Sequence, residues 1–219
     1  MNFDLRLLQK EKRVDPPESE VAMAAEFYET RSLMRHGYRC YHEPSYKAIA
    51  RYFALTFFSI DDPRNKHLSS KPEKGLLLYG PVGTGKTMAM QIFSGIFKIH
   101  FLSAQALIQE YGKNGENGFW DLAKSFDGQD MIVDDICAER DLKSYGNATP
   151  MIDFFKHRED MYRAYGSLTH YTTNALDRDA LVERYGERTA SRILGMCIAV
   201  LVSGEDKRVI KTEIKKEGE

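Results

Sequence analysis

The chain has little cysteine. There are three in 219 residues, Cys40, Cys137 and Cys197, and no two form a CxxC pair. An odd count behind a start, Met1-Asn2-Phe3-Asp4-Leu5-Arg6, that has no leader pattern argues against a disulfide framework and for reduced thiols in a cytoplasm. Long hydrophobic runs are missing too. Stretches such as Ile198-Ala199-Val200-Leu201-Val202 are far shorter than the roughly 20 residues a bilayer requires, so no membrane role is expected. Neither sign of charge is in excess: 31 Lys and Arg face 32 Asp and Glu, a net charge of −1. A global basic field is excluded, and any contact with nucleic acid must come from a local patch. A metal cluster is not evident. His36, Cys40 and His42 lack a fourth ligand and fit no common zinc spacing, so they read as ordinary surface and core side chains. There are no internal repeats. What remains is 42% hydrophobic and 29% charged, ordinary for a globular protein and long enough for one sizeable domain with a small appendage.

Against this plain background one segment is dense with meaning. Gly80-Pro81-Val82-Gly83-Thr84-Gly85-Lys86-Thr87 is G-x-x-x-x-G-K-T, a phosphate-binding P-loop. Glycines let the backbone wrap close, so that successive N–H groups point at phosphate oxygens. Lys86 would reach the β- and γ-phosphates of ATP, and the Thr87 hydroxyl would ligate Mg²⁺. The flanks fit. Gly75 to Tyr79 reads as an apolar strand entering the loop, and Met88 to Phe97 as a helix leaving it, its positive end meeting the phosphates.

The rest of the chain organises around that motif. Residues 1–15 are charged and weakly amphipathic and are followed by Pro16-Pro17. Glu18 to about Met34 has helical character, and Ser45 to Ile60 more clearly so, with Ile49, Tyr52, Phe53, Thr56, Phe57 and Ile60 at helical spacing. Asp61 to Lys74 reads as a polar linker. Beyond it, strand candidates at 76–79, 99–102, 131–134, 168–172 and 198–202 alternate with helices. That alternation predicts an α/β fold with a parallel sheet covered on both faces. Lys113 to Asp130, rich in glycine, reads as a helix-loop insertion whose Phe119-Trp120 pair belongs to the core rather than to a base-stacking surface.

Four further segments suit a nucleotide machine. Met131-Ile132-Val133-Asp134-Asp135-Ile136 is an apolar strand ending in two carboxylates, about fifty residues after the P-loop. Asp134 can hold Mg²⁺ or a water on it, and Asp135 can polarise the attacking water. Leu168-Thr169-His170-Tyr171-Thr172 runs into Thr173-Asn174, whose amide, at a strand's carboxyl end, is placed to hold that water. In Tyr185-Gly186-Glu187-Arg188-Thr189-Ala190-Ser191-Arg192, Arg188 and Arg192 share a helix face and could reach a neighbouring subunit's phosphate. Gly204-Glu205-Asp206-Lys207-Arg208 offers further cations after the last strand.

In this order the motifs resemble the AAA+ ATPases of the DnaC type, helicase loaders related to the IstB transposition helper, over roughly Lys74 to Arg208. The resemblance implies a P-loop AAA+ three-layer fold with a five-stranded sheet, the Asn174 strand lying between the P-loop strand and the Asp134 strand. It implies that Gly80 to Met88 and Arg208 bind nucleotide, Arg208 as the sensor II arginine. It makes Asn174 the sensor I residue and Arg192 the arginine finger, with Arg188 as support or alternative. It divides the chain into a short helical N-terminal segment, 1–40, which either docks a partner or packs on the ATPase core, and an ATPase domain, 41–219. The partners implied are a replicative helicase, single-stranded DNA touched near Lys113–Lys124, and further copies of the chain in an arc or ring. Two other readings stay open: an IstB-like helper on duplex DNA, and a slow ATP-state switch that binds a partner protein.

Overall fold

The alternation of strands and helices becomes a single parallel sheet in the computed structural model, which describes residues 18–36, 44–58, 72–139 and 150–206. Two helices come first, α1 (Glu18–His36) and α2 (Pro44–Phe58). They are followed by β1 (Gly75–Tyr79), α3 (Lys86–Phe97), β2 (His100–Ser103), α4 (Ala104–Lys124) and β3 (Met131–Ile136). Then come α5 (Pro150–Tyr165), β4 (Thr169–Thr173), α6 (Arg178–Tyr185), α7 (Glu187–Met196) and β5 (Cys197–Leu201). The strand order is β2-β3-β4-β1-β5, every pair parallel, so the Asn174 strand does lie between the other two, as the motif order implied.

Burial follows position in the sheet. The central strands β1, β3 and β4 are buried along nearly their whole length, while the edge strands β2 and β5 are partly exposed. Successive side chains of β1 divide the core. Leu77 faces the layer of α4, α5, α6 and α7, packed with Leu107, Phe154, Phe155 and Ile193. Leu76 and Leu78 face α3, α2 and α1. On that side the rings of Phe53 and Phe93 stack at 4.7 Å, and Tyr28 of α1 meets Phe53 edge-on at 5.5 Å. The helical part of the N-terminal segment therefore packs on α2 and the domain core. Its opposite side leaves Met23, Phe27 and Met34 exposed.

Lys113 to Asp130 is a helix followed by a loop, as expected. α4 runs on to Lys124 and is interrupted only at Gly115, whose φ of 68° and ψ of −161° are open to glycine alone. The loop begins after Ser125. Phe119 is buried against Phe154, 6.5 Å between ring centres, and Trp120 packs beside it, so the pair is core.

One charged group holds this layer together. Arg158 of α5 is fully buried. Its Nε donates to Thr169 Oγ1 at 2.8 Å, Nη1 to the Phe126 carbonyl at 3.1 Å and Nη2 to the Gln129 carbonyl at 2.8 Å. It thereby ties the α4–β3 turn to β4. Arg158→Met keeps the aliphatic stem but strands the buried Thr169 hydroxyl and two part-buried carbonyls, so a loss of about 2–4 kcal/mol is expected. A lowered urea midpoint at unchanged slope would show it.

Candidate nucleotide site

The P-loop leaves β1 through backbone that only glycine adopts easily. Gly80, Gly83 and Gly85 have φ of 135°, 83° and 98°. Gly80 is also a point of close approach: a Cβ there would sit 2.5 Å from the Val202 carbonyl oxygen, and the Val202 N–H donates to the Tyr79 carbonyl at 2.8 Å. The chain leaving β5 is thus laced to the loop. It ends with the Asp206 carboxylate against Gly83, where a Cβ would meet Oδ1 at 2.0 Å. Thr84 Oγ1 donates to the Pro81 carbonyl at 3.0 Å and closes the turn. α3 starts on Gly85 with no acidic residue in its own first turn, so its positive end favours an anion.

Lys86 is buried, and its Nζ donates to the carbonyls of Gly80 at 2.8 Å and Pro81 at 2.6 Å. The ammonium is held inside the loop's curve. Thr87 is exposed, and its hydroxyl bonds to the Asp134 carboxylate. The Met88 side chain instead enters the hydrophobic core, so only its backbone belongs to the loop. Pro81 and Val82 stand in solvent.

The two carboxylates of β3 reach the same rim because the strand is irregular there. Val133 pairs with Tyr171 and Ile136 with Thr173, so β3 advances three residues while β4 advances two. A regular strand would send Asp134 and Asp135 to opposite faces; a bulge re-aims them. Asp135 takes up the extra step in a left-handed conformation, φ 59°. Thr172 fills the angle between them. Its Oγ1 accepts from the Asp135 N–H at 2.8 Å and donates to Asp134 Oδ1 at 2.5 Å. Asn174 Nδ2 donates to Asp135 Oδ1 at 2.8 Å.

The electrostatics separate the pair. Burial is the largest influence on Asp134 and pushes its carboxyl above the ordinary range; the Asp135 charge acts in the same direction. The Thr172 and Thr87 hydroxyls and the Lys86 ammonium oppose both. A buried carboxylate with a hydroxyl beside it is a set of hard oxygen donors suited to Mg²⁺, and the glycine-lined loop with its inward lysine suits a polyphosphate. The donor set fits Mg²⁺-nucleotide.

The arginines differ in setting. Arg188 is exposed and makes no hydrogen bond or ion pair among the described residues. Arg192 is held through Nε by Glu159 Oε2 of α5 at 2.7 Å, and its two terminal nitrogens carry no bond among the described residues. Arg208 lies outside the described residues, as do Cys40 and His42. Among the described residues no group of His, Cys, Asp and Glu forms a metal cluster, and no helix is long and apolar enough to cross a membrane.

Thr172 was not singled out from sequence, although it stands two residues before Asn174 in the same motif. Glu159 carries no local signal at all.

No family model matches the chain, and no curated protein matches it. Solved structures do. A structure of DnaI is 18% identical over 74% of this chain and 87% of its own, with a TM-score of 0.55. The DnaC helicase loader is 18% identical over 82% of this chain and all of its own, at 0.52. A putative primosome component from Streptococcus pyogenes serotype M3 is 19% identical over 76% of this chain and 84% of its own, at 0.51. The chain has the P-loop AAA+ fold. The resemblance drawn from the motifs is borne out as a likeness of fold to the DnaC-type proteins.

Proposed function

We propose that this AAA+ chain binds and hydrolyses ATP in DNA replication, as a loader of a replicative helicase that contacts single-stranded DNA. The observation that carries the catalytic part is the network at the sheet's carboxyl rim, where Thr172 joins Asp134 to Asp135 and Asn174 holds Asp135. Mg²⁺ bound with the nucleotide would neutralise phosphate charge and present the terminal phosphoryl group to water. The chain's own residues do the remainder. Gly80 to Thr87 bind and orient, and Lys86 exchanges two carbonyls for phosphate oxygens. Thr87 and Asp134 hold the metal. Asp135, with its Oδ1 engaged by Asn174, keeps its second oxygen for the proton of the attacking water. Arg192, with Arg188 as alternative, acts across a subunit boundary in an arc or ring, and Arg208 is the further cation after β5.

The replication role rests on likeness in fold to proteins named as a helicase loader and a primosome component. A partner helicase would take the exposed side of α1, Met23, Phe27 and Met34, together with the rest of residues 1–40. Single-stranded DNA would run near the Lys113–Lys124 half of α4. The protein would work in the cytoplasm. An IstB-like helper on duplex DNA and a slow partner-binding switch predict different ligands for the same P-loop. Capture of the host's purified replicative helicase in the presence of ATP separates them from the loader.

The nucleotide reading has a direct test. Lys86→Ala is expected to weaken a fluorescent ATP analogue about 100-fold, the value of a charge-assisted contact to phosphate, with an unchanged circular dichroism spectrum. Equal affinity in two folded proteins would sink the P-loop assignment.

A further inference from the structure

The stretch that carries Asp135 is held from outside the sheet. Asp135 and Cys137 both have left-handed backbone, φ 59° and 74°. Each such non-glycine residue costs on the order of 1 kcal/mol, so the turn needs bonds that fix it. α6 supplies them. Tyr185 Oη accepts from the Cys137 N–H at 2.7 Å and donates to Glu139 Oε1 at 2.6 Å. Arg184 Nη2 donates to the Glu139 carbonyl at 2.8 Å and to its Oε1 at 3.3 Å. Burial, then the Glu139 charge, raise the Tyr185 hydroxyl far above its ordinary value, so it remains a donor at any working pH. The ring is anchored separately, against Phe155 at 4.9 Å. The Glu139 side chain is almost fully buried, and its Oε2 has no hydrogen-bond partner among the described residues. A carboxylate kept inside at that cost asks for a reason beyond solubility.

The connection onward matters. Arg184 and Tyr185 end α6; Gly186 turns with φ 82°, and α7 follows with Arg188 and Arg192. One hydroxyl therefore links the end of α6, one glycine before the helix bearing the outward arginines, to the turn bearing the inward carboxylate.

We propose that Tyr185 is a positioning residue for hydrolysis. Its hydroxyl, bridging the Cys137 amide and the Glu139 carboxylate, fixes the left-handed turn that aims Asp135 and ties the end of α6 to that subunit's own water-activating group. This rests on the ATP-hydrolysing reading above.

The test compares full-length Tyr185→Phe, Glu139→Gln, Glu139→Val and Asp135→Asn for steady-state turnover, affinity for a fluorescent ATP analogue and melting temperature. Asp135→Asn is the benchmark. Tyr185→Phe keeps the ring packing and loses both bonds. Its kcat is expected to fall about tenfold, the weight of one or two such bonds, with analogue affinity within about twofold of wild type. Glu139→Gln keeps an oxygen to accept from Tyr185 and should retain most turnover, whereas Glu139→Val should match Tyr185→Phe. A purely structural tyrosine would lower melting temperature, affinity and kcat together, and glutamine would then do no better than valine; either result overturns the proposal. Wild-type turnover in Tyr185→Phe overturns it as well. If Tyr185→Phe does not fold, the glutamine–valine pair still decides. Turnover that survives Asp135→Asn means that the hydrolytic reading has failed, and the proposal with it; loss there with normal rates in Tyr185→Phe and Glu139→Val means that only the proposal has.

Discussion

Arg192→Ala is expected to bind ATP as wild type does and to hydrolyse it about 10³-fold more slowly, within the range known for arginine fingers. Glu159 takes Nε of Arg192 at 2.7 Å and also pairs with Arg163 on its own helix. A bond to Nε fixes the plane of the guanidinium, while the two terminal nitrogens stay available for a bidentate contact with phosphate. Glu159 thus orients the group without consuming its fork. Arg188, four residues earlier, has no such guide. Its loss is expected to cost less, unless assembly itself orders it. The trans role has its own signature. Arg192→Ala retains a sound pocket and Lys86→Ala retains a sound finger, so mixing the two should regain part of the lost turnover. No recovery at any ratio, in proteins shown to self-associate, would count against action across subunits. If Arg188→Ala has the thousandfold defect and Arg192→Ala does not, the finger is Arg188.

The parts of the site that were legible in the sequence are those held by neighbours along the chain. Gly80 to Thr87 is a single loop, and the strands on which it hangs are short apolar runs with a clear helical partner, so motif and context are read together. Asp134 and Asp135 end a run of buried apolar residues, and Asn174 follows a strand rich in buried Thr. What stayed hidden depends on register between segments far apart. The bulge that brings both carboxylates to one rim exists only because β3 and β4 pair out of step. Thr172 and Asp135 are 37 residues apart, Tyr185 and Glu139 are 46 apart, and Arg192 and Glu159 are 33 apart. Periodicity says which face of an element is apolar; it does not say which hydroxyl will meet which amide. The Lys113–Asp130 stretch, read as helix and loop, is helix as far as Lys124: the buried Phe119 and Ala123 keep it helical on both sides of the break at Gly115. Packing of an apolar face outweighs the roughly 1 kcal/mol that a glycine costs a helix.

Asp134 and Asp135, adjacent in sequence, should come apart under substitution. Asp135→Asn is expected to bind Mg²⁺-ATP normally and to lose turnover by about 10²–10⁴, the contribution of a positioned general base. The amide still pairs with Asn174 and the backbone N–H still reaches Thr172, so geometry is conserved while the proton acceptor is gone. Asp134→Asn should fail earlier, at metal-dependent binding, because an amide oxygen is a poorer Mg²⁺ ligand than a carboxylate. It should also gain stability. Burial raises the Asp134 carboxyl above its ordinary 3.8, so ionisation is less favourable in the folded chain than in the unfolded one. The penalty is absent below that ordinary value, grows as pH rises through the raised one and is fully present at neutral pH. Asparagine removes it while keeping an oxygen for the Thr172 hydroxyl. In metal-free buffer at pH 7 the variant should therefore melt higher than wild type, and the difference should shrink on acidification. Melting curves at two pH values, paired with Mg²⁺ titrations of analogue binding, measure both halves. A variant that melts lower at pH 7, or that binds Mg²⁺-ATP as wild type does, would remove Asp134 as the strained metal ligand; an Asp135→Asn protein that turns over at the wild-type rate would remove Asp135 from the reaction.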